Sequence, residues 1–229
     1  MMASGGMNTP GTDVMPTQFT DDEMRFLVDA AHRHGLPVTT HAHGLPAVQQ
    51  AVAAGVDALE HCGCLTETGV VVPDDLLATL AERRLPVGAA LGAPTAEALA
   101  RMPKALHDAM ARAGITPEMV RGIRLDTVRR LREGGVQLVA GRDSGIAPQL
   151  AHGSMHEGVS FLVDAGASEA EALISATSRA AGACGVGQTK GSLRPGFDAD
   201  VLVVDGDLSS DIGRLGEVRA VFLAGHRVH

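Results

Sequence analysis

The chain has 229 residues, 45% of them hydrophobic, and a formal net charge of -8. That is enough apolar material for a real core, and it leaves no basic surface to track nucleic-acid phosphates. No apolar run reaches the ~18 residues that a bilayer span requires, and Met1-Met2-Ala3-Ser4-Gly5-Gly6 lacks the basic and apolar regions of a signal peptide, so a cytoplasmic location without membrane or nucleic-acid partners is expected.

After a Gly- and Pro-rich opening, Thr20-Asp21-Asp22-Glu23 reads as a capping box. Met24, Leu27, Val28 and Ala31 then give a helix an apolar stripe, and Gly35 ends it. Leu36 to Thr40 is a short strand stopping at His41-Ala42-His43-Gly44. A helix over Pro46 to Ala54, closed by Gly55, leads into a second strand, Val56 to Glu60, that ends at His61. The unit repeats with a helix from Pro73 to Arg84 and the strand Leu85 to Ala90. Helices over Thr95 to Ala113 and Thr116 to Glu133 follow, the simplest reading of which is barrel cladding, and then the strand Val136 to Ala140 running into Gly141-Arg142-Asp143-Ser144-Gly145. Helices at Met155 to Ala165 and Ser168 to Ala181 close this region. Ala199 to Asp205 and Val218 to Ala224 read as strands, with a turn at Gly225.

Strands alternating with helices imply right-handed βαβ units on a parallel sheet. Polar residues at the C-terminal ends of successive strands are how a (β/α)8 barrel builds its active site, and a whole barrel takes about 250 residues. The expected fold is therefore α/β: a partial barrel over residues 1–187, roughly strands four or five to eight, and a small β appendage over 188–229.

His41 and His61 stand at the ends of consecutive predicted strands, and Asp143 stands at the end of the last. Two neutral imidazoles and a carboxylate suit zinc or a similar divalent ion, which brings the pKa of a bound water toward ~7. Asp143 is then placed to take the proton of that water and pass it to a leaving amine. His43 is open between a second ligand, a substrate contact and polar lining, and His152 between a pocket residue and a plain loop histidine. The cysteines Cys62, Cys64 and Cys184 are too few for a disulfide framework, which fits a reducing compartment. Cys62-Gly63-Cys64 lacks the second pair that would complete a tetrahedral metal set.

Taken in order, five stretches resemble the amidohydrolase superfamily, in its imidazolonepropionase-like branch with the Xaa-Pro and related dipeptidases and the ochratoxin-hydrolysing amidases. They are Met2 to Gly6 with Thr9-Pro10-Gly11, Thr40 to Gly44, Ala54 to His61, Gly141 to Gly145 with His152-Gly153, and Gly191 to Val204. The resemblance implies that His41 is the ligand of barrel strand five, His61 that of strand six, and Asp143 the ligand and proton shuttle of strand eight. It favours His41 over His43 because the family ligand precedes the Glu60-His61 pair by this interval. His43 and His152 are then expected at the substrate. The family's strand-one His-x-His and strand-four Lys have no counterpart in this sequence. Nucleobase deaminases of the superfamily place a Glu three positions after the strand-five His, where this chain has Gly44. Hydrolysis of an amide or dipeptide C–N bond, with one or two divalent ions, is therefore expected ahead of deamination or cyclic-amide opening. The competing expectation is a non-catalytic fragment or interaction module, whose open strand edge a second copy or another chain supplying barrel strands would cover.

Overall fold

The structure, a computed structural model, describes residues 1–7, 9, 11–90, 114, 116–146 and 150–229. The chain divides into two compact units, Met1–Ala90 with Gly122–Leu138, and Leu91–Arg121 with Val139–His229.

In the first unit the capping box forms as expected. The Thr20 side chain accepts the Glu23 amide, the Glu23 carboxylate accepts the Thr20 amide at 2.8 Å, and helix α1 runs over Asp21–Arg33. Strand β1 (Thr39–His41) leads through helix α2 (Leu45–Ala54) to β2 (Ala58–Glu60). Helix α2 buries Ala47, Val48, Ala51 and Val52, and stops because Gly55 takes a left-handed φ of 88°. A two-residue hairpin, β3 (Leu65–Thr66) and β4 (Gly69–Val70), precedes helix α3 (Asp74–Glu82) and strand β5 (Pro86–Ala90). Helix α4 (Pro117–Glu133) buries Val128 and Leu131, and strand β6 (Gln137–Gly141) follows. The sheet order is β1-β2-β5-β6.

Register explains which residues face the core. Thr40 pairs with Leu59 and Leu59 with Val87 along the parallel strands, and all three are fully buried. One residue further on, His41, Glu60 and Gly88 form the next row, which the alternation of strand side chains turns to the opposite face. That row is half-buried. A Cβ at Gly88 would fall 1.9 Å from Glu60 Oε2, so the missing side chain makes room for that carboxylate. Met1 to Ala3 run beside β1 in parallel: the Met1 ammonium donates to Thr39 O at 2.7 Å and the Ala3 amide to His41 O at 2.9 Å.

The second unit contains helices α5 (Met155–Asp164), α6 (Glu169–Ala176) and α7 (Ser178–Ala183). The single helix expected from Ser168 to Ala181 is broken at Thr177, whose φ of -120° and ψ of -99° leave the helical region. Strands β7 (Val201–Val204), β8 (Val218–Leu223) and β9 (His226–Arg227) form an antiparallel sheet in that order, with the last turn at Gly225 as expected. Lys190 joins Asp198 at 2.9 Å and Asp200 at 2.6 Å ahead of β7.

The architecture is an incomplete (β/α)8 barrel, four strands with flanking helices, plus a C-terminal β region. The helix expected over Thr95 to Ala113 lies outside the described residues. Among the described residues no helix is long and apolar enough to cross a membrane.

Candidate metal centre

Parallel pairing of β1 with β2 sets His41 opposite Glu60, and so brings His61, the next residue, to the same strand end. His43 follows two residues after β1. Its amide donates to Ser4 Oγ at 2.9 Å, and its carbonyl accepts the Leu65 amide at 2.9 Å. Past β2 the backbone coils back on itself: His61, Cys62 and Cys64 all have left-handed φ, at 69°, 44° and 49°. Such conformations are uncommon for side-chain-bearing residues and cost of order 1–3 kcal/mol each, so the surroundings must hold them. They do so with the Cys62 amide on Glu60 O at 2.9 Å, the Gly63 amide on Ala42 O at 3.1 Å, and two fully buried thiols 3.9 Å apart. Gly63 is needed for the approach, since a Cβ there would stand 2.8 Å from His43 O.

The result is a triangle of imidazoles. Ring centroids are 4.5 Å apart for His41 and His43, 4.6 Å for His41 and His61, and 4.5 Å for His43 and His61. Their ligand atoms all lie within 4.8 Å of one another. Burial, reinforced by the charges of His61, His41 and Arg124, holds His43 down to about 3. Burial, with His41 and Arg124, does the same to His61, also to about 3. Both rings are therefore neutral at neutral pH, the state in which an imidazole offers a lone pair to a metal.

Nδ1 of His43 and Nδ1 of His61 are buried without a hydrogen-bond partner. An orphaned buried polar atom costs about 1–3 kcal/mol, and a divalent cation is a group that would satisfy two such nitrogens together. The donor set fits a metal of the zinc type.

In the second unit, Asp143 follows β6 with an exposed side chain and a left-handed φ of 54°. Its neighbour Arg142 is the opposite, 4% exposed. The Arg142 guanidinium pairs with Glu157 at 2.6 Å and donates to Ser154 Oγ at 3.3 Å, tying the end of β6 to the start of α5. The loop beyond is closed by the Gly145 amide on Leu150 O at 2.6 Å. The His152 ring lies against Gly145, whose added Cβ would meet Nε2 at 2.4 Å. The structure thus gathers His41, His43 and His61 in the first unit and holds Asp143 and His152 on one loop of the second.

Over residues 1–228 the sequence matches the amidohydrolase family. The chain belongs to that family. An uncharacterized protein of Mycobacterium tuberculosis is 30% identical over 158 residues, 68% of this chain and 39% of its own length. A solved Xaa-Pro dipeptidase with methionine bound in its active site superposes with a TM-score of 0.79 at 25% identity, over 100% of this chain and 53% of its own. A prolidase complexed with N-methylphosphonate-L-proline superposes with a TM-score of 0.71 at 28% identity, over 99% of this chain and 53% of its own. The chain therefore spans about half the length of these structures. For an amidohydrolase, a triangle of imidazoles at the ends of neighbouring strands supports metal-dependent hydrolase chemistry.

Sequence reasoning missed three participants: Ser4, which anchors His43; the coil at Cys62 to Cys64; and buried Arg142. Ser4 and Arg142 each sit inside a motif that the resemblance picked out, which was the available signal. The coil carried none. A cleft of about 400 Å³, bordered by Val70 and Val72 on one side and Ile123, Asp126 and Arg130 of α4 on the other, contains none of the residues the sequence singled out.

Proposed function

We propose that this amidohydrolase hydrolyses the C–N bond of a small amide or dipeptide, as in the Xaa-Pro dipeptidase branch, with His41 and His61 as ligands of a divalent ion, zinc first among the candidates. The observation that carries the reading is the pair of buried, partnerless Nδ1 atoms inside a cluster of three histidines. A bound divalent ion supplies Lewis acidity, bringing the ionisation of water toward neutrality and polarising a carbonyl.

The chain's own residues do the rest. His61, whose ring burial keeps neutral, and His41 offer lone pairs. The Asp143 carboxylate, open to solvent at the end of β6, serves as ligand and as base: it takes a proton from the attacking water and delivers it to the departing amine nitrogen. Its assignment rests on the motif Gly141 to Gly145. His43 and His152 are the residues proposed at the substrate. Gly44, standing where the deaminases carry a proton-donating Glu, favours amide hydrolysis over attack on a nucleobase ring.

The test is a panel of Xaa-Pro dipeptides, other dipeptides and N-acyl amino acids, incubated with zinc-loaded and chelator-stripped protein and followed by amine release. Turnover that depends on metal and fails in Asp143→Asn supports the reading. Metal-independent turnover, or a zinc-loaded protein that cleaves nothing in the panel, sinks it and returns the interaction-module alternative.

A further inference from the structure

We propose that Cys62 and Cys64 are a redox couple, a dithiol that closes to a disulfide under oxidation and in doing so loosens the metal centre. The proposal rests on the metal-dependent reading above and adds its regulation.

The two sulfurs already meet. They lie 3.9 Å apart, within hydrogen-bonding reach of each other, and both residues are fully buried. Only Gly63 separates them in the chain, and both cysteines hold a left-handed φ, at 44° and 49°. Strain of this kind gathers at functional and switching segments. A buried cysteine that only packs acts as a small hydrophobe and has no need of a second sulfur against it.

An oxidant of the peroxide class completes the couple. One thiolate attacks a peroxide oxygen, the O–O bond breaks, and the sulfur becomes a sulfenic acid; the second thiol attacks that sulfur and water leaves. In sum, two thiols lose two electrons and two protons, and hydrogen peroxide is reduced to two molecules of water. The partner thiol at 3.9 Å captures the sulfenic acid, which directs the product to the disulfide and away from sulfinic acid. A ring closed across one residue gains least from loop-closure entropy, and strained disulfides are the readily reduced ones, so a thiol reverses the step.

The coil transmits the change. Bond formation draws the sulfurs from 3.9 Å to ~2 Å. Cys62 is joined directly to His61, the Gly63 amide donates to Ala42 O at 3.1 Å, and the Leu65 amide donates to His43 O at 2.9 Å. Gly63 has no slack, since a Cβ there would stand 2.8 Å from His43 O. Closing the ring therefore shifts the backbone that carries His43 and His61. By linkage, an ion that the disulfide weakens must itself oppose the disulfide.

The experiment treats the metal-free full chain with hydrogen peroxide, maps the products by peptide mass, and titrates reduced and oxidised protein with zinc by calorimetry. Expected are a loss of two hydrogens on the peptide holding Cys62 and Cys64, reversal by dithiothreitol, and zinc affinity lower by about 10–100-fold in the oxidised form, the range for loss of an outer-shell support. Zinc bound beforehand should slow formation of the disulfide. The double variant Cys62→Ala, Cys64→Ala should keep its zinc affinity through the same treatment, and the wild-type comparison stands whether or not that variant folds. Oxidation confined to Cys184, sulfinic acid at Cys62 or Cys64, a disulfide that leaves zinc affinity unchanged, or an equal loss of affinity in the double variant would overturn the proposal and leave the proposed function standing. Failure of the reduced wild type to bind zinc would overturn both.

Discussion

Two strand ends in this molecule are built in opposite ways. At β1 and β2 the candidate ligands are themselves packing residues: His43 is 3% exposed, and the chain behind His61 coils through three left-handed, side-chain-bearing positions onto two buried thiols. At β6 the candidate chemical group, Asp143, is exposed, and the packing falls to its neighbour Arg142 with Glu157 and Ser154. In the first region function and stability share the same atoms. In the second they are divided between adjacent residues, so that one can be altered without the other.

Substitutions can break that comparison. The largest effect is expected for Asp143→Asn, which should lower kcat of the metal-loaded protein by about 10²–10⁴-fold, the span for loss of a general base. Its unfolding free energy in urea should stay within about 0.5 kcal/mol of wild type, as at other exposed sites. A large loss of stability would show that the division at β6 is not real.

Glu157→Ala should do the reverse. It strands a guanidinium whose side chain is 2% exposed, and breaking a buried pair costs about 3–5 kcal/mol. The lower end is expected because Glu157 keeps 17% exposure. Urea unfolding measures it, and a neutral result would mean that Arg142 is not held by this pair.

Gly63→Ala drives a methyl toward His43 O, and overpacking of this kind costs about 1–3 kcal/mol. The comparison predicts that zinc affinity falls with stability here; affinity that stays put would separate function from packing in the first region too.

Acid sharpens the same point. The metal-free His43 titrates at about 3 in the fold against 6.5 as an ordinary histidine. Between those values the unfolded chain binds more protons, so stability is complete above pH ~6.5 and falls by about 1.4 kcal/mol per pH unit per such histidine as pH drops toward 3. Denaturant midpoints of the stripped protein from pH 7 to 4.5 would show this slope, and a flat profile would mean that the ring is not sealed. The smallest effect belongs to Thr20→Ala, which removes a cap worth about 1 kcal/mol and should leave zinc binding untouched.

Much of the barrel was legible because local chemistry and tertiary structure agree. Thr20 and Glu23 form the box their spacing announces, Gly55 and Gly225 turn where a left-handed residue is needed, and the strands end at their polar clusters. What escaped was set by distant packing. The β3–β4 hairpin has two residues per strand, too short to show alternation, and Thr177 interrupts a helix without a Gly or Pro to mark the place.

At the site, His41 and His61 were legible from their places at strand ends. The packing of His43 was not, because β1 stops at His41 and strand alternation says nothing about a residue beyond it. The coil at His61 to Cys64 defies residue preference, and it is held by the Cys62 and Gly63 amide bonds, the buried thiols and the close approach of Gly63 to His43 O.

The thiols buried beneath that coil give the protein a built-in clock. Cys184 is exposed, while Cys62 and Cys64 are sealed. An alkylating reagent should therefore mark one thiol at once and the other two only when the histidine loop opens. The lag between first and later adducts, read by mass on the unmodified chain, reports how often that loop opens, and slower late adducts after zinc is added would show the ion holding it shut.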